Sequence, residues 1–547
     1  MACSRSDRVR RQANKTDTGT RLGKPSVSFR ALLSFRAKRL PGGARATKGG
    51  IAVVRTESPG RAASHAWHVV AARWARGIVL ALSLGACTSP AAAPATVATP
   101  ASTSVDPRRA EAFLDTLQQR TFQWFWDTTD PRTGLTPDRW PARTFSSVAA
   151  IGFALTAYPI GAERGYVTRA EAAERTLNTL RFLWQLPQGE TATGVAGHKG
   201  FFYHFLDYDK GHRFEKVELS TIDTSLLMGG VLFCQSYYTS AAPTEVSIRA
   251  YADSLYRRVE WTWPRNRPPA INMGWNPEEG FLPFDWRGYN EAMITYILAL
   301  GSPTHPVEPA AWTEWTKTYV WRDYYGQEHL NFAPLFGHQY SHVWIDFRGI
   351  RDAYMREKGI DYFENSRRAT LAQRAYAIDN PFEWVGYGPN EWGFTASDGP
   401  RGGPVTVEGH SRVFFTYAAR GTAWGEIRDD GTLAPTALGG SVPFAPEVTI
   451  PALIAIREKY GDRLFTKYGF LDAFNATFPR SGLTPQTGTV VPGVAWFDSD
   501  HLGIDQGPIL AMIENHRTQL VWRVIKTNPY IRTGLRRAGF TGGWLEE

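Results

Sequence analysis

Residues 501–515 read HLGIDQGPILAMIEN. A short turn and one acid, Asp505, open directly onto a run that is almost wholly apolar. An acid in the first turn of a helix is favoured by the helix dipole. Beside such a run it is also partly stripped of water, so it must be paired or titrate away from its ordinary range. The same arrangement recurs: Glu218 and Asp223 lie in KVELSTIDTSLLMGG (216–230), Glu291 in RGYNEAMITYILALG (287–301), and Asp398 in EWGFTASDGP (391–400). One such residue is commonplace. Several, in segments rich in Trp, Tyr and Phe, point to a cleft that handles a neutral polyhydroxylated substrate by acid–base chemistry.

Outward from these segments the pattern is helical. Asp106-Pro107 caps an amphipathic run to about Trp126, and Thr168 with Glu171 forms a capping box. Further helices are expected from near Thr144, Ser220, Pro243, Gly288, Pro309, Gln339, Asp361, Pro443, Gly503 and Thr518, roughly twelve in all. Aromatic- and glycine-rich loops separate them, with a few short strands expected in PVTVEG and RVFFTYAARG. No internal period is detectable, which argues against a solenoid. About a dozen helices in one uninterrupted domain, residues 106–547, suit an all-α (α/α)6 barrel, a double ring whose inner-helix N-termini converge on one pit.

Charge divides the chain unevenly. The net +9 comes from residues 1–86, which hold 17 Lys and Arg against Asp7, Asp17 and Glu57. The remainder carries 44 basic and 49 acidic residues, so nucleic-acid binding is not expected. Residues 73–87, RWARGIVLALSLGAC, have a basic start, an apolar core too short to span a bilayer, and a lipobox ending in Cys87. Residues 1–86 are therefore expected to be an N-terminal extension plus lipoprotein signal peptide, with the translation start misassigned. Residues 87–105, rich in Ala, Pro, Ser and Thr, read as a flexible tether behind a lipidated Cys87. The expected location is the periplasm or an outer-membrane anchor. Cys3, Cys87 and Cys234 cannot build a disulfide framework, and Cys234 reads as a buried structural thiol.

Phosphate-loop, dinucleotide and HExxH signatures are absent from the sequence. His338 and His342 stand four apart, yet no clear third metal ligand follows them. Ser411 in GHSRV lacks the second glycine of a nucleophile elbow. Carboxylates and aromatics remain. Glycosidic hydrolysis needs one protonated acid for the leaving oxygen and a second carboxylate to activate water or attack carbon. Aromatic faces offer platforms for sugar rings. Glu218 and Asp223 are equally well explained as residues favoured by a helix N-terminus, Asp505 also as a cap, and Asp398 as an ordinary turn residue. Glu291 is harder to explain structurally.

Several segments together, GFFYHFLD, ELSTIDTSLL, WRGYNEAMITYILALGSPTHP, FGHQYSHVWIDFRGIRDAYMREKGIDYFENSRRA, TASDGP, FLDAFN and GIDQGPILAMIEN, resemble the bacterial glycoamylase-like domain family, which includes endo-β-1,2-glucanases. The resemblance covers nearly all of residues 106–547. It implies an (α/α)6 barrel, no cofactor or metal in catalysis, and anomer-inverting hydrolysis of β-1,2-glucan or its oligosaccharides. On matched positions it implies Glu291 as general acid and Asp505 as general base, or the reverse order. Glu218, Asp223, Asp398 and Glu391 would bind sugar hydroxyls or stand in for one of that pair. Asp138, Arg139, Tyr289, His338 and Trp392 complete the expected sugar-binding set. LAPTALGGSVPFAPE (433–447) and SGLTPQTGTVVPGVAWFDSD (481–500) read as insertions beside subsite loops. An exo-acting glucosidase of other linkage and a lipid-anchored, non-catalytic oligosaccharide receptor are the alternatives.

Overall fold

The computed structural model describes residues 105–547. The extension, signal peptide, Cys87 and nearly all of the tether lie outside the described residues. Among the described residues, fifteen α-helices and 23 strands of two to five residues follow one another. The helices are α1 (Pro107–Thr128), α2 (Val148–Glu163), α3 (Arg169–Gln185), α4 (Thr221–Tyr237), α5 (Pro243–Arg258), α6 (Met293–Gly301), α7 (Ala310–Thr316), α8 (Phe336–Trp344), α9 (Ala353–Lys358), α10 (Tyr362–Asp379), α11 (Pro435–Gly439), α12 (Pro446–Tyr460), α13 (Gly503–Arg517), α14 (Leu520–Ile525) and α15 (Pro529–Arg537).

Burial sorts them into two rings. Every residue of α6, α8 and α11 is buried, and nearly every residue of α2, α4 and α13. These six are the inner ring. Longer amphipathic helices, α1, α3, α5, α10 and α12, alternate with them along the chain and keep a wet face, so the fold is the expected (α/α)6 barrel. Asp106 accepts from Arg108 N at the start of α1, and Thr168 with Glu171 closes a capping box on α3, as the sequence indicates.

Glycine lets the inner helices touch backbone to backbone. A Cβ on Gly230 of α4 would meet Gly152 O of α2 at 2.1 Å, and one on Gly507 of α13 would meet the Phe153 ring at 2.1 Å. Around the ring, Ser341 of α8 accepts from Ile294 N of α6 (3.0 Å), and Gln339 of α8 donates to Ala437 O of α11 (2.9 Å). Thr436 of α11 donates to Asp505 O of α13 (2.9 Å), and Phe153, stacked on Trp344 at 5.2 Å, packs the interior.

One expectation needs correction. Residues 433–447 are not an insertion: they supply inner helix α11 and the entry to α12. The short strands expected in the loops are present, as antiparallel pairs mostly of two residues that staple the loops together. Examples are Arg139–Trp140 with His501–Leu502, Ser146–Ser147 with Phe205–Leu206, Leu219–Ser220 with Gly274–Trp275, and Ala396–Ser397 with Ala418–Ala419.

Gly230→Val tests the α2–α4 crossing. With backbone as the obstructing partner, the fold is expected to lose about 3 kcal/mol or more in a denaturant melt. A loss below about 0.5 kcal/mol would show that the crossing tolerates separation.

Candidate active site

Three of the candidate side chains follow one of those staples by a few residues: Asp223 after Leu219–Ser220, Asp398 after Ala396–Ser397 and Asp505 after His501–Leu502; Glu291 is placed by the turn ahead of α6. Asp223 is the third residue of α4, Asp505 the third of α13, and Glu291 lies in the turn just ahead of α6. Asp398 directly follows the strand Ala396–Ser397.

Glu291 is fixed by its backbone. Its carbonyl accepts from Ser341 Oγ (3.1 Å), and Asn290 Oδ1 accepts from Ala292 N (3.0 Å) across the same turn. The side chain is held apart: Oε2 is buried and takes no hydrogen bond from the protein. Burial, with a smaller contribution from the nearby charge of Asp223, pushes this carboxyl up to about 7.

Asp223 belongs to an ion cluster with His204 and Glu218. His204 Nδ1 lies 2.9 Å from Glu218 Oε1, and its Nε2 lies 3.5 Å from Asp223 Oδ1. Ser220, the N-cap of α4, donates to the Asp223 carboxylate and accepts from Asp223 N (3.1 Å). Although burial opposes the charge, Asp223 and Glu218 raise the imidazole to about 9. The same imidazolium holds Glu218 low against its own burial, while Asp223, buried more deeply, is raised.

Asp505 faces a second carboxyl, Asp472. Burial raises both, and the two carboxyls interact closely enough to titrate as a pair. Asp505 is pushed up to about 7, and its Oδ2 is buried without a protein partner. Asp472 Oδ2 also accepts from Asp398 N (2.7 Å).

Arg139 organises the far wall. Its Nη1 donates to Asp398 (2.7 Å) and lies 3.8 Å from Asp500, and its Nε donates to Asp138 (3.2 Å). The loop carrying Asp398 is held from below by buried Arg420, which donates to Ser397 O (2.6 Å) and pairs with Asp430 (2.7 Å). Tyr340 of α8 ties the clusters together: its phenol is raised by burial and then by the charges of Asp505, Glu291 and Asp223. Tyr417 is raised by burial and then by Asp505, Asp472, Asp138 and Asp398. The charges of Glu291 and Asp505 thus both reach the Tyr340 phenol.

Four expected sugar ligands lie elsewhere. Glu391 spends both carboxylate oxygens on Tyr460 and Lys459 of outer helix α12. Trp392 is fully buried in an apolar cluster. Tyr289 is covered by Tyr362, stacked at 5.9 Å, and by His338 at 4.9 Å. His338 is buried against Phe332 O (3.1 Å), and burial lowers it well below the usual imidazole range. His342 is likewise packed inside, beside Ser366. Glu391 thus anchors its loop to α12, and the other four pack in the interior. Conversely, His204, Tyr340, Tyr417 and Asp472 carry site geometry that sequence reasoning did not single out; three of them lie in the quoted segments GFFYHFLD, FGHQYSHVW and FLDAFN.

A helical double ring with paired, buried carboxyls at one rim defines a class of carbohydrate-active barrels, and comparison with known proteins agrees. The Glycoamylase family model, described as "Putative glucoamylase", matches residues 283–529. A solved Bacteroides uniformis protein, described as a "putative glucoamylase", is 32% identical, covers 80% of this chain and 98% of its own, and superposes with a TM-score of 0.67. The endo-β-1,2-glucanase of Chitinophaga pinensis, solved with sophorotriose and glucose, is 29% identical over 80% of this chain and 99% of its own, also at 0.67. An exo-β-1,2-glucooligosaccharide sophorohydrolase of Parabacteroides distasonis is 29% identical over 463 residues; the chain spans 58% of that relative's length. The chain belongs to the glycoamylase-like family.

Because the folded imidazole of His204 titrates near 9, above the ~6.5 of a free one, its cluster stabilises the fold fully below pH 6.5. That contribution fades as pH rises through 9. The stability advantage of the native chain over His204→Gln is therefore expected to shrink between pH 6 and 9.5 in matched urea melts; an advantage that does not change with pH would contradict the assignment.

Proposed function

We propose that the protein is a glycoside hydrolase that cleaves β-1,2-linked glucan or its oligosaccharides with inversion at the anomeric carbon. The observation that supports this reading best is that Glu291 and Asp505 both act on Tyr340, each with a buried carboxyl oxygen that no protein group satisfies. Two relatives named above, an endo-β-1,2-glucanase and a sophorohydrolase, supply the linkage.

Glu291, isolated from cations and raised by burial, holds a proton near neutral pH and gives it to the departing glycosidic oxygen. Asp505 takes a proton from the attacking water, whose oxygen bonds the anomeric carbon as the C–O bond to the leaving sugar breaks. Asp472 stands beside this base, and the two carboxyls titrate as a pair. Asp223, Glu218, Asp138, Arg139 and Asp398 line the walls as acceptors and donors for hydroxyls. We further propose that the chain is exported and held at a membrane through lipid on Cys87, on the strength of the lipobox sequence. Mass spectrometry of the mature N-terminus is expected to find acylated Cys87, and an unmodified upstream start would refute it.

A reducing-sugar assay is expected to show turnover of β-1,2-glucan and none of maltooligosaccharides. Glu291→Gln and Asp505→Asn are each expected to lower kcat about 10²–10⁴-fold with substrate still bound; retention of activity within a few-fold would remove that residue from the chemistry. Binding by the native chain without turnover would favour a receptor instead.

The pH profile of kcat/KM follows from the same two groups. Rate falls on the acid side as Asp505 gains its proton and on the alkaline side as Glu291 loses its own, each near 7. A narrow bell centred close to neutrality is expected, and a plateau extending to pH 9 would exclude Glu291 as the acid.

A further inference from the structure

Beside the catalytic pair, three aspartates converge from two segments of chain. Asp398 follows the strand Ala396–Ser397, and Asp498 and Asp500 follow the strand Ala495–Phe497. One carboxylate oxygen from each lies within 4.8 Å of the others, and all three residues are buried. Asp498 is 3% exposed, and neither of its carboxylate oxygens takes a hydrogen bond from the protein. Two such oxygens, buried and aimed at two further carboxylates, are not explained by packing or by the sugar chemistry assigned to Glu291 and Asp505.

The surrounding charge is incomplete. Arg139 is the cation that touches this trio, through Asp398 (2.7 Å) and Asp500 (3.8 Å), and it is shared with Asp138. Arg420 is already neutralised by Asp430. Three carboxylates against one guanidinium leave two negative charges in a water-poor region, the deficit that one divalent cation cancels.

From this geometry we propose that Asp398, Asp498 and Asp500 form a structural site for a divalent cation, calcium in preference to magnesium. The donors are all hard oxygens, with no imidazole or thiolate among them, which suits calcium or magnesium over zinc. Calcium, with bonds of about 2.3–2.6 Å and a flexible sphere of six to eight oxygens, accommodates carboxylates brought together from two separate segments. Magnesium needs a sphere about 4.2 Å across and near-ideal octahedral geometry. The remaining positions fall to water and backbone oxygens, as calcium tolerates. The cation would tie the Asp398 loop to the segment that runs through His501–Leu502 into Asp505, so it would brace the base without taking part in bond cleavage.

The test uses the full chain after chelator treatment and dialysis. Calorimetric titration with CaCl2 is expected to show one saturable site, and excess calcium is expected to raise Tm by at least about 2 °C, with magnesium giving a smaller rise. Asp498→Asn, which keeps shape while removing one charge, is expected to abolish the calcium response. Its metal-free Tm should equal or exceed that of the metal-free native chain, since repulsion is relieved. Absence of heat and of any Tm change in the native chain would overturn the proposal and leave a protonated Asp498 as the way the charge is removed. An undiminished calcium response in Asp498→Asn would place any calcium elsewhere and overturn it equally.

Discussion

Taking carboxylates out of water at the rim of an apolar ring is the constraint that shapes this protein. The inner helices have almost no wet face, so polar groups can be carried only at their ends, and those ends meet. There the helix dipoles favour negative charge while burial penalises it. The chain resolves the conflict differently at each acid. Glu218 is paired with an imidazolium, Asp505 titrates as a pair with Asp472, Asp398 leans on Arg139, and Glu291 is left alone and takes up a proton. One functional group thus stands in four different environments.

The second requirement is placement, and here the work falls to loops. Strand pairs of two residues are weak individually, yet each joins segments distant in sequence and ends within a few residues of a site side chain. Glycine contacts between α2, α4 and α13 make the ring tight enough for Tyr340 on α8 to reach both sides of the pit.

Legibility in the sequence followed these two levels. The inner helices announce themselves as apolar runs, and the acids opening them, Asp223, Glu291 and Asp505, stand out because a charge at that position is costly. Caps at Asp106 and Thr168 are local signals and hold. Five-residue α11 is too short to show a period, so it passed for an insertion. His204, Asp472, Asp498 and Asp500 sit beside strand pairs whose partners lie far along the chain, and no window of sequence contains that pairing. Aromatic-rich surroundings misled in the other direction: Trp392, Tyr289 and His338 share the composition of a sugar platform, but their faces are spent on one another and on the core. Glu391 drew attention by its aromatic neighbours and is tied to an outer helix instead.

Pairing of Arg139–Trp140 with His501–Leu502 has a consequence for biosynthesis. The pit needs residues from both ends of the folded region, with the closing inner helix made almost last. A nascent chain therefore carries apolar inner helices that lack their closing neighbour until Gly503–Arg517 has been made. Contacts spanning so great a sequence separation form slowly, and exposed apolar surface invites association meanwhile. Completion of the rim waits on that last inner helix.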